Sequence, residues 1–153
     1  MRLDANQIKT LNKIVHNSLQ RLYIQDIELI QHGGMERSLS FRFGLYFNEL
    51  IFEYSEFETL DVDLEYNKNG LDSKRTPRRP NGVQPDFILH KRRNNDQNML
   101  VIEFKGWWND TDRDIDKIKL EDFVSQDGEY EYGMGILVEL NNDNFELLTY
   151  IDY

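Results

Sequence analysis

The stretch QPDFILHKRRNNDQNMLVIEFKG, residues 84–106, decides how the rest of the chain is interpreted. It contains two strand-like apolar runs, 86–91 and 99–105, and the Asn- and Asp-rich turn RNNDQN lies between them. This pattern predicts a β-hairpin. Residues 100–102 form a continuous apolar run of the kind found in a central strand that is buried on both faces.

Charged residues stand at the ends of these two runs. Asp86 begins the first run, and Glu103 and Lys105 end the second. Because side chains alternate across a strand, Glu103 and Lys105 point to the same face of the sheet. If the hairpin aligns, Asp86 and Glu103 approach closely enough to share one cation. The other interpretation is that all three residues are solvated strand ends.

Two carboxylates forced together without a counter-charge repel each other, and one of them is driven neutral. A hard divalent ion with oxygen ligands removes that conflict, and we expect Mg²⁺, with Mn²⁺ as a substitute. Such an ion lowers the pKa of bound water and stabilises charge that develops on a phosphate. Lys105 is then placed to hold that water or to neutralise the phosphate oxygens.

Length and composition limit the class of protein. The chain has 153 residues, about one domain, and we treat 1–153 as a single unit. It contains no cysteine, which excludes disulfides and thiolate metal sites and fits a reducing cytoplasm. No apolar run approaches the roughly 18 residues that a membrane helix needs, so we expect no membrane partner.

The charge of the chain is unevenly distributed. The net charge of −10 argues against a protein that coats nucleic acid nonspecifically. Residues 68–93, however, hold eight Lys and Arg residues against only Asp72 and Asp86. This basic segment on an acidic body fits a directed contact with phosphate, and a solvated loop is the other interpretation.

Hydrophobic periodicity predicts the order α-α-β-β-β-α-β-β, an α/β sandwich around a mixed sheet. Asp4 is the expected N-cap of the first helix, and residues 24–31 are ambiguous between a strand and a helical extension. The paired glycines of YGMGIL indicate close backbone approach within a strand. The predicted helices are 5–22, 36–53 and 112–126, and the predicted strands are 59–67, 86–91, 99–105, 132–141 and 145–152.

The sequence PD at 85–86, followed after sixteen residues by EFK at 103–105, resembles the PD-(D/E)xK nuclease superfamily. The resemblance covers about 36–140 and extends to a group of small bacterial and phage proteins within it. It implies a restriction-endonuclease-like α/β/α sandwich, with the N-terminal helix packed on that core. It also implies an acidic residue on a helix before the core sheet, and Glu36 is the best match; the other interpretation of Glu36 is an exposed first-turn residue that the helix dipole favours.

The resemblance implies a Mg²⁺-dependent nuclease that hydrolyses phosphodiester bonds, with DNA as the expected substrate. Asp86 and Glu103 would bind metal, Glu36 would bind a second metal or position water, and Lys105 would assist the nucleophile. A homodimer would suit a double-strand cutter. The alternative is a non-catalytic binding or regulatory protein that uses the nuclease fold, for instance in phage–host conflict. The residues expected to contact nucleic acid are Arg78, Arg79, Lys91, Arg92 and Arg93, with Trp107 stacking on a base or sugar.

Single residues near these motifs have ordinary interpretations. Glu65 is expected to be a solvated partner, and His90 a surface histidine beside the basic run. Lys117 and Lys119 are expected to be ordinary charges on a helix face, and a contact with phosphate is the other interpretation. A core or interface role for Trp107 and Trp108 is as well supported as stacking on a nucleotide.

Overall fold

A computed structural model describes residues 1–153. Three helices come first, and a five-stranded sheet with one further helix follows them. The helices are α1 (Ala5–Gln25), α2 (Ile27–His32), α3 (Glu36–Ile51) and α4 (Asp114–Val124), and a 3₁₀ turn spans Ser55–Phe57. The strands are β1 (Asp61–Leu64), β2 (Lys68–Asn69), β3 (Asp72–Ser73), β4 (Phe87–His90), β5 (Leu100–Gly106), β6 (Met134–Leu140) and β7 (Phe145–Tyr150).

The main sheet has the order β1-β4-β5-β6-β7. The β5–β6 pair is parallel, because α4 carries the chain back across the sheet between these two strands, and the other pairs are antiparallel. The predicted hairpin is confirmed, since β4 and β5 are adjacent and antiparallel. The short strands β2 and β3 form a separate two-stranded ribbon.

Alternation along the strands gives the sheet two apolar faces. On one face, Leu100, Ile102 and Phe104 of β5 pack into the larger core with α1 and α3. On the other face, Val101 packs with Ile88 and with the apolar side of α4 in a second core. Helices therefore cover both faces of a mixed sheet, and the α/β class is confirmed.

Local signals determine several element boundaries. Asp4 caps α1 as predicted: its Oδ1 accepts a hydrogen bond from the Gln7 N–H at 2.8 Å, and Gln7 Oε1 accepts from the Asp4 N–H at 3.0 Å. Gly135 confirms close backbone approach, because a Cβ atom there would lie 3.0 Å from Val124 Cγ1 on α4.

The structure also differs from the prediction. The ambiguous segment 24–31 is helical, and Ile30 on α2 is fully buried in the larger core. The predicted strand 59–67 is shorter and spans only Asp61–Leu64, and the predicted loop 68–82 contains the β2–β3 ribbon. None of the helices combines the length and the apolar character needed to cross a membrane.

Candidate functional site

Asp86 and Glu103 meet across the β4–β5 pair. The register pairs Phe87 with Ile102, so Asp86 stands opposite Glu103 at the carboxyl end of β5. Asp86 Oδ2 accepts a hydrogen bond from the Phe104 N–H at 2.8 Å, which fixes that carboxylate against the strand. Glu103 is only 1% exposed. The structure therefore brings together the two carboxylates that the sequence pattern placed side by side.

Lys105 lies on the same face of β5, one alternation beyond Glu103. Its side chain is 14% exposed, and its Nζ lies 3.1 Å from Asp116 Oδ2 on α4. Burial alone lowers the pKa of Lys105, but the Asp116 carboxylate, with Glu36 and Asp86, raises it above the ordinary value. Lys105 is therefore held as a cation that faces several carboxylates.

Helix α4 supplies an acid and a second lysine that the sequence analysis did not assign to the site. Asp116 and Lys119 are three residues apart, so they lie on the same helix face, which is turned toward β5. Lys119 Nζ lies 2.6 Å from Glu103 Oε2 and 3.8 Å from Asp116 Oδ1, and it donates to the Gln84 carbonyl oxygen at 3.2 Å. The prediction that Lys119 is an ordinary helix-face charge is wrong.

Glu36 reaches the same end of the sheet from the first turn of α3. Both of its carboxylate oxygens accept hydrogen bonds from Asn109 Nδ2, at 2.6 and 2.9 Å. Asn109 lies in the loop after β5, and Arg113 holds that loop by donating to the Asn109 and Thr111 carbonyl oxygens. Arg113 is itself anchored by two hydrogen bonds to the Glu139 carboxylate on β6.

Burial and nearby negative charge raise the pKa values of both Asp86 and Glu103. Burial, followed by the nearby Asp86 charge, raises the pKa of Glu103 well above its ordinary value, although Lys119 opposes this. Burial also raises the pKa of Asp86, against the lowering effect of the Phe104 N–H. Four carboxyl groups therefore face two ammonium groups, and burial together with this excess of acids favours the protonated form of Glu103.

A cleft of about 790 Å³ between α3 and the sheet is lined by three members of this cluster, Glu36, Asp86 and Lys105, whereas Glu103, Asp116 and Lys119 lie behind them. Arg37 and Glu65 form an ion pair of 2.7 Å among the residues that line it. Glu65 is thus the ion-pair partner of Arg37, which agrees with the expectation from sequence that Glu65 is a solvated partner of another charge. The other charged residues that line the cleft are Glu36, Arg42, Asp86 and Lys105.

The metal-binding capacity of the site rests on its carboxylate oxygens. Glu103 Oε1 is buried and has no hydrogen-bond partner, so one acceptor inside the site is unused. Mg²⁺ is commonly bound through only one or two carboxylates, with waters and substrate phosphates completing its shell, and Asp86 with Glu103 fits that requirement. No three His, Cys, Asp or Glu side chains converge closely enough to hold an ion by themselves.

The predicted nucleic-acid contacts are spread over the molecule. Arg78 forms ion pairs with Glu121 and Asp122 on α4, and Arg92 forms one with Asp63 on β1. These pairs reduce the positive charge that either arginine offers to a phosphate. Arg79 and Arg93 form no ion pair.

Lys91, Arg92 and Arg93 follow the end of β4 that is remote from Asp86. Lys91 donates to the Thr59 carbonyl oxygen. His90, the last residue of β4, is buried and its Nε2 lies 2.8 Å from Asp63 Oδ2, so the prediction that it is a surface residue is wrong.

Trp107 combines a structural contact with an exposed ring. Its Nε1 donates to the Ile30 carbonyl oxygen at 2.9 Å, while 46% of the residue remains exposed. It packs edge-to-face on Trp108, with the ring centroids 5.8 Å apart.

Comparisons with known proteins identify no relative. The chain matches no protein-family model, no curated protein and no solved structure.

Proposed function

We propose that the chain is a Mg²⁺-dependent nuclease of the PD-(D/E)xK type, with a restriction-endonuclease-like fold and a DNA substrate. One observation carries this proposal: Asp86 and Glu103 face each other at the carboxyl end of a central strand, with Lys105 on the same face. Ligand sites in α/β sheets characteristically lie at that end of the strands. Glu36 lines the same cleft as Asp86 and Lys105, as the helix acid of the superfamily requires.

Each residue then has a defined role. Asp86 and Glu103 would hold the divalent ion, which when bound would lower the pKa of a coordinated water and stabilise charge on the phosphate. Lys105 would orient the attacking water, and Asp116 at 3.1 Å keeps its amine in place. Glu36, held by Asn109, would accept a hydrogen bond from that water or contact a second ion.

The fold supports access of a phosphodiester to this site. The cleft between α3 and the sheet has a volume of about 790 Å³, and the side chain of Arg37, which lines it, is 83% exposed. Arg79 forms no ion pair, whereas Arg78 and Arg92 do. Arg79 is therefore a better candidate than those two arginines for a phosphate contact. A homodimer remains a prediction for cleavage of both strands.

Metal-dependent cleavage tests the proposal. Purified protein with Mg²⁺ or Mn²⁺ should cut DNA, and Asp86→Asn and Lys105→Met should each lower the rate by about 10²-fold or more. Asp72→Asn, at an exposed acid on β3, and Lys117→Met, at a partly exposed lysine of α4 that pairs with Asp114, are matched controls that should cleave as the parent does. Equal cleavage by the parent and the two site variants would contradict the assignment.

A second candidate is a non-catalytic binding protein that retains the nuclease fold. The Lys119–Glu103 ion pair favours it, because an ammonium group already provides the counter-charge that a metal would supply. The two candidates differ in their response to metal. An unfolding midpoint that millimolar Mg²⁺ or Mn²⁺ leaves unchanged would favour the binding protein.

A further inference from the structure

Lys74 is a buried lysine with no acceptor for its amine. The residue is 1% exposed, and its Nζ takes part in no hydrogen bond or ion pair of the structure. Three tyrosine rings surround the ammonium group, with the centroids of Tyr130, Tyr66 and Tyr132 at 4.7, 5.6 and 6.0 Å. Ring faces stabilise a cation but cannot accept its three N–H bonds as oxygen does, so the amine needs another partner.

That amine lines a small cavity whose wall is almost entirely polar. The cavity volume is about 30 Å³, about two to three times what one buried water requires. Lys68 and Arg93 also line it, and neither forms an ion pair. Three positive groups therefore border one small, partly open pocket. The remaining lining residues are Tyr66, Asn69, Gly70, His90, Asn94 and Asn95.

Hydrogen bonds hold the walls of this cavity in place. Asn95 Nδ2 donates to Asn69 Oδ1 and to the Glu129 carbonyl oxygen, both at 3.3 Å. Asn98, which is fully buried, donates to Asn95 Oδ1 at 3.3 Å and to the Tyr130 carbonyl oxygen at 2.7 Å. The chain therefore fixes the β2 strand and the β4–β5 turn around the amine.

The charge balance favours an anion in this space. Burial lowers the pKa of Lys74 to about 8, and the nearby Glu129 opposes that shift, so the amine is largely protonated at pH 7. The Glu129 carboxylate acts on the Lys74 amine through its charge and accepts a hydrogen bond from Asn69 Nδ2, so one negative charge stands beside three positive ones. Asp63 is paired with His90 and Arg92. No acidic side chain lines the cavity itself.

We propose that Lys74, Lys68 and Arg93 form a binding site for a single phosphate group, either free or carried by a nucleotide chain. Three positive side chains suit a doubly charged oxyanion. The site lies at the end of β4 opposite to Asp86. His90 follows Asp86 by four residue steps along extended chain, about 13 Å, so this inference does not depend on the proposed nuclease.

Phosphate titration in metal-free buffer at pH 7 with EDTA tests the site. Sodium phosphate should raise the unfolding midpoint of the parent by about 2–4 °C at several times Kd, relative to sodium chloride of equal ionic strength. Lys74→Met should abolish that shift and weaken phosphate binding at least about tenfold in calorimetry. Arg93→Gln, at an exposed residue on the rim, should weaken phosphate binding about three- to tenfold. This variant tests the site if Lys74→Met fails to fold.

Arg75→Gln is the matched control, because Arg75 is the exposed neighbour of Lys74 and does not line the cavity. Asp86→Ala should also keep the phosphate response, which separates this site from the proposed metal site. Single-stranded oligonucleotides with and without a 5′-phosphate identify the source of the group. Tighter binding of the phosphorylated form that depends on Lys74 assigns the site to nucleic-acid ends, whereas a response to inorganic phosphate alone assigns it to the free ion.

Two results would overturn the proposal. One is a parent that responds neither to inorganic phosphate nor to the phosphorylated oligonucleotide. The other is a response that Lys74→Met and Arg93→Gln leave at the level of the parent.

Discussion

Lys119 Nζ lies 2.6 Å from Glu103 Oε2, and this ion pair joins α4 to β5 inside the candidate site. Glu103 is almost fully buried, so its charge depends on a neighbouring cation. A divalent ion held by Asp86 and Glu103 would provide the same compensation. If the chain binds a divalent ion as proposed, Lys119 and that ion would compete for the charge of the Glu103 carboxylate.

Replacing Lys119 tests this competition. Lys119→Met should lower the free energy of unfolding in EDTA by up to about 3 kcal/mol, because the buried Glu103 carboxylate loses its partner and must either stay charged alone or take up a proton. Mn²⁺ should then raise the unfolding midpoint of the variant more than that of the parent, with a Kd lower by roughly tenfold. Differential scanning calorimetry with and without Mn²⁺ measures both effects.

Lys117→Met is the control for this experiment. Lys117 lies on the same helix but pairs with Asp114 at 3.4 Å on the exposed side, so its loss should change stability by less than about 0.5 kcal/mol. If Mn²⁺ affects Lys119→Met, Lys117→Met and the parent equally, Lys119 does not compete with a metal.

The raised pKa of Glu103 predicts a pH dependence of stability in metal-free buffer. The folded protein binds a proton at Glu103 more tightly than the unfolded chain, so stability falls as the pH rises from about 4.5, the ordinary glutamate value, toward the raised folded pKa. The raised pKa of Asp86 also makes stability fall as the pH rises, and this fall begins at a lower pH than for Glu103. Glu103→Gln cannot ionise, so its stability relative to the parent should increase across this window.

Urea unfolding at a series of pH values measures that difference. Glu146→Gln, an exposed change on β7, should run parallel to the parent throughout. A constant difference between Glu103→Gln and the parent from pH 4 to pH 8 would show that Glu103 does not titrate in this way.

Asn109 is predicted to be a positioning residue for Glu36. It donates to both carboxylate oxygens, so Asn109→Ala should cost about 1.5 kcal/mol of stability, and Asn109→Asp should cost more through like-charge repulsion. A double-mutant cycle with Glu36→Gln should give a coupling energy of about 1 kcal/mol or more. Asn81→Ala, at an exposed loop residue, is the control, and additive effects of the Asn109 and Glu36 changes would refute the positioning role.

The sequence was sufficient for the parts of the site that depend on local pairing. The two runs and their turn predicted the hairpin, and the hairpin register alone places Asp86 opposite Glu103. The apolar stripe of α4 also contains a pattern that predicts a further site residue, Asp116. Asp116 precedes the buried Leu120 by one turn, so a carboxylate on that stripe faces the sheet.

Long-range packing explains the contacts that the sequence could not predict. Arg78 is neutralised by Asp122, which is 44 residues away, and only the docking of the 74–84 loop on α4 brings them together. Lys74 looked like one more residue of a basic loop. The rings of Tyr130 and Tyr132, which follow α4, pack around the Lys74 amine. The sequence pattern within 68–93 contains nothing that predicts this contact.

An anomalous difference map from crystals soaked in Mn²⁺ tests most directly whether Asp86 and Glu103 hold a divalent ion. We predict a peak between the two carboxylates, about 2.0–2.6 Å from an oxygen of each, with Lys119 displaced from Glu103. A map at saturating Mn²⁺ without that peak, and with Lys119 still bound to Glu103, would contradict the proposed metal site.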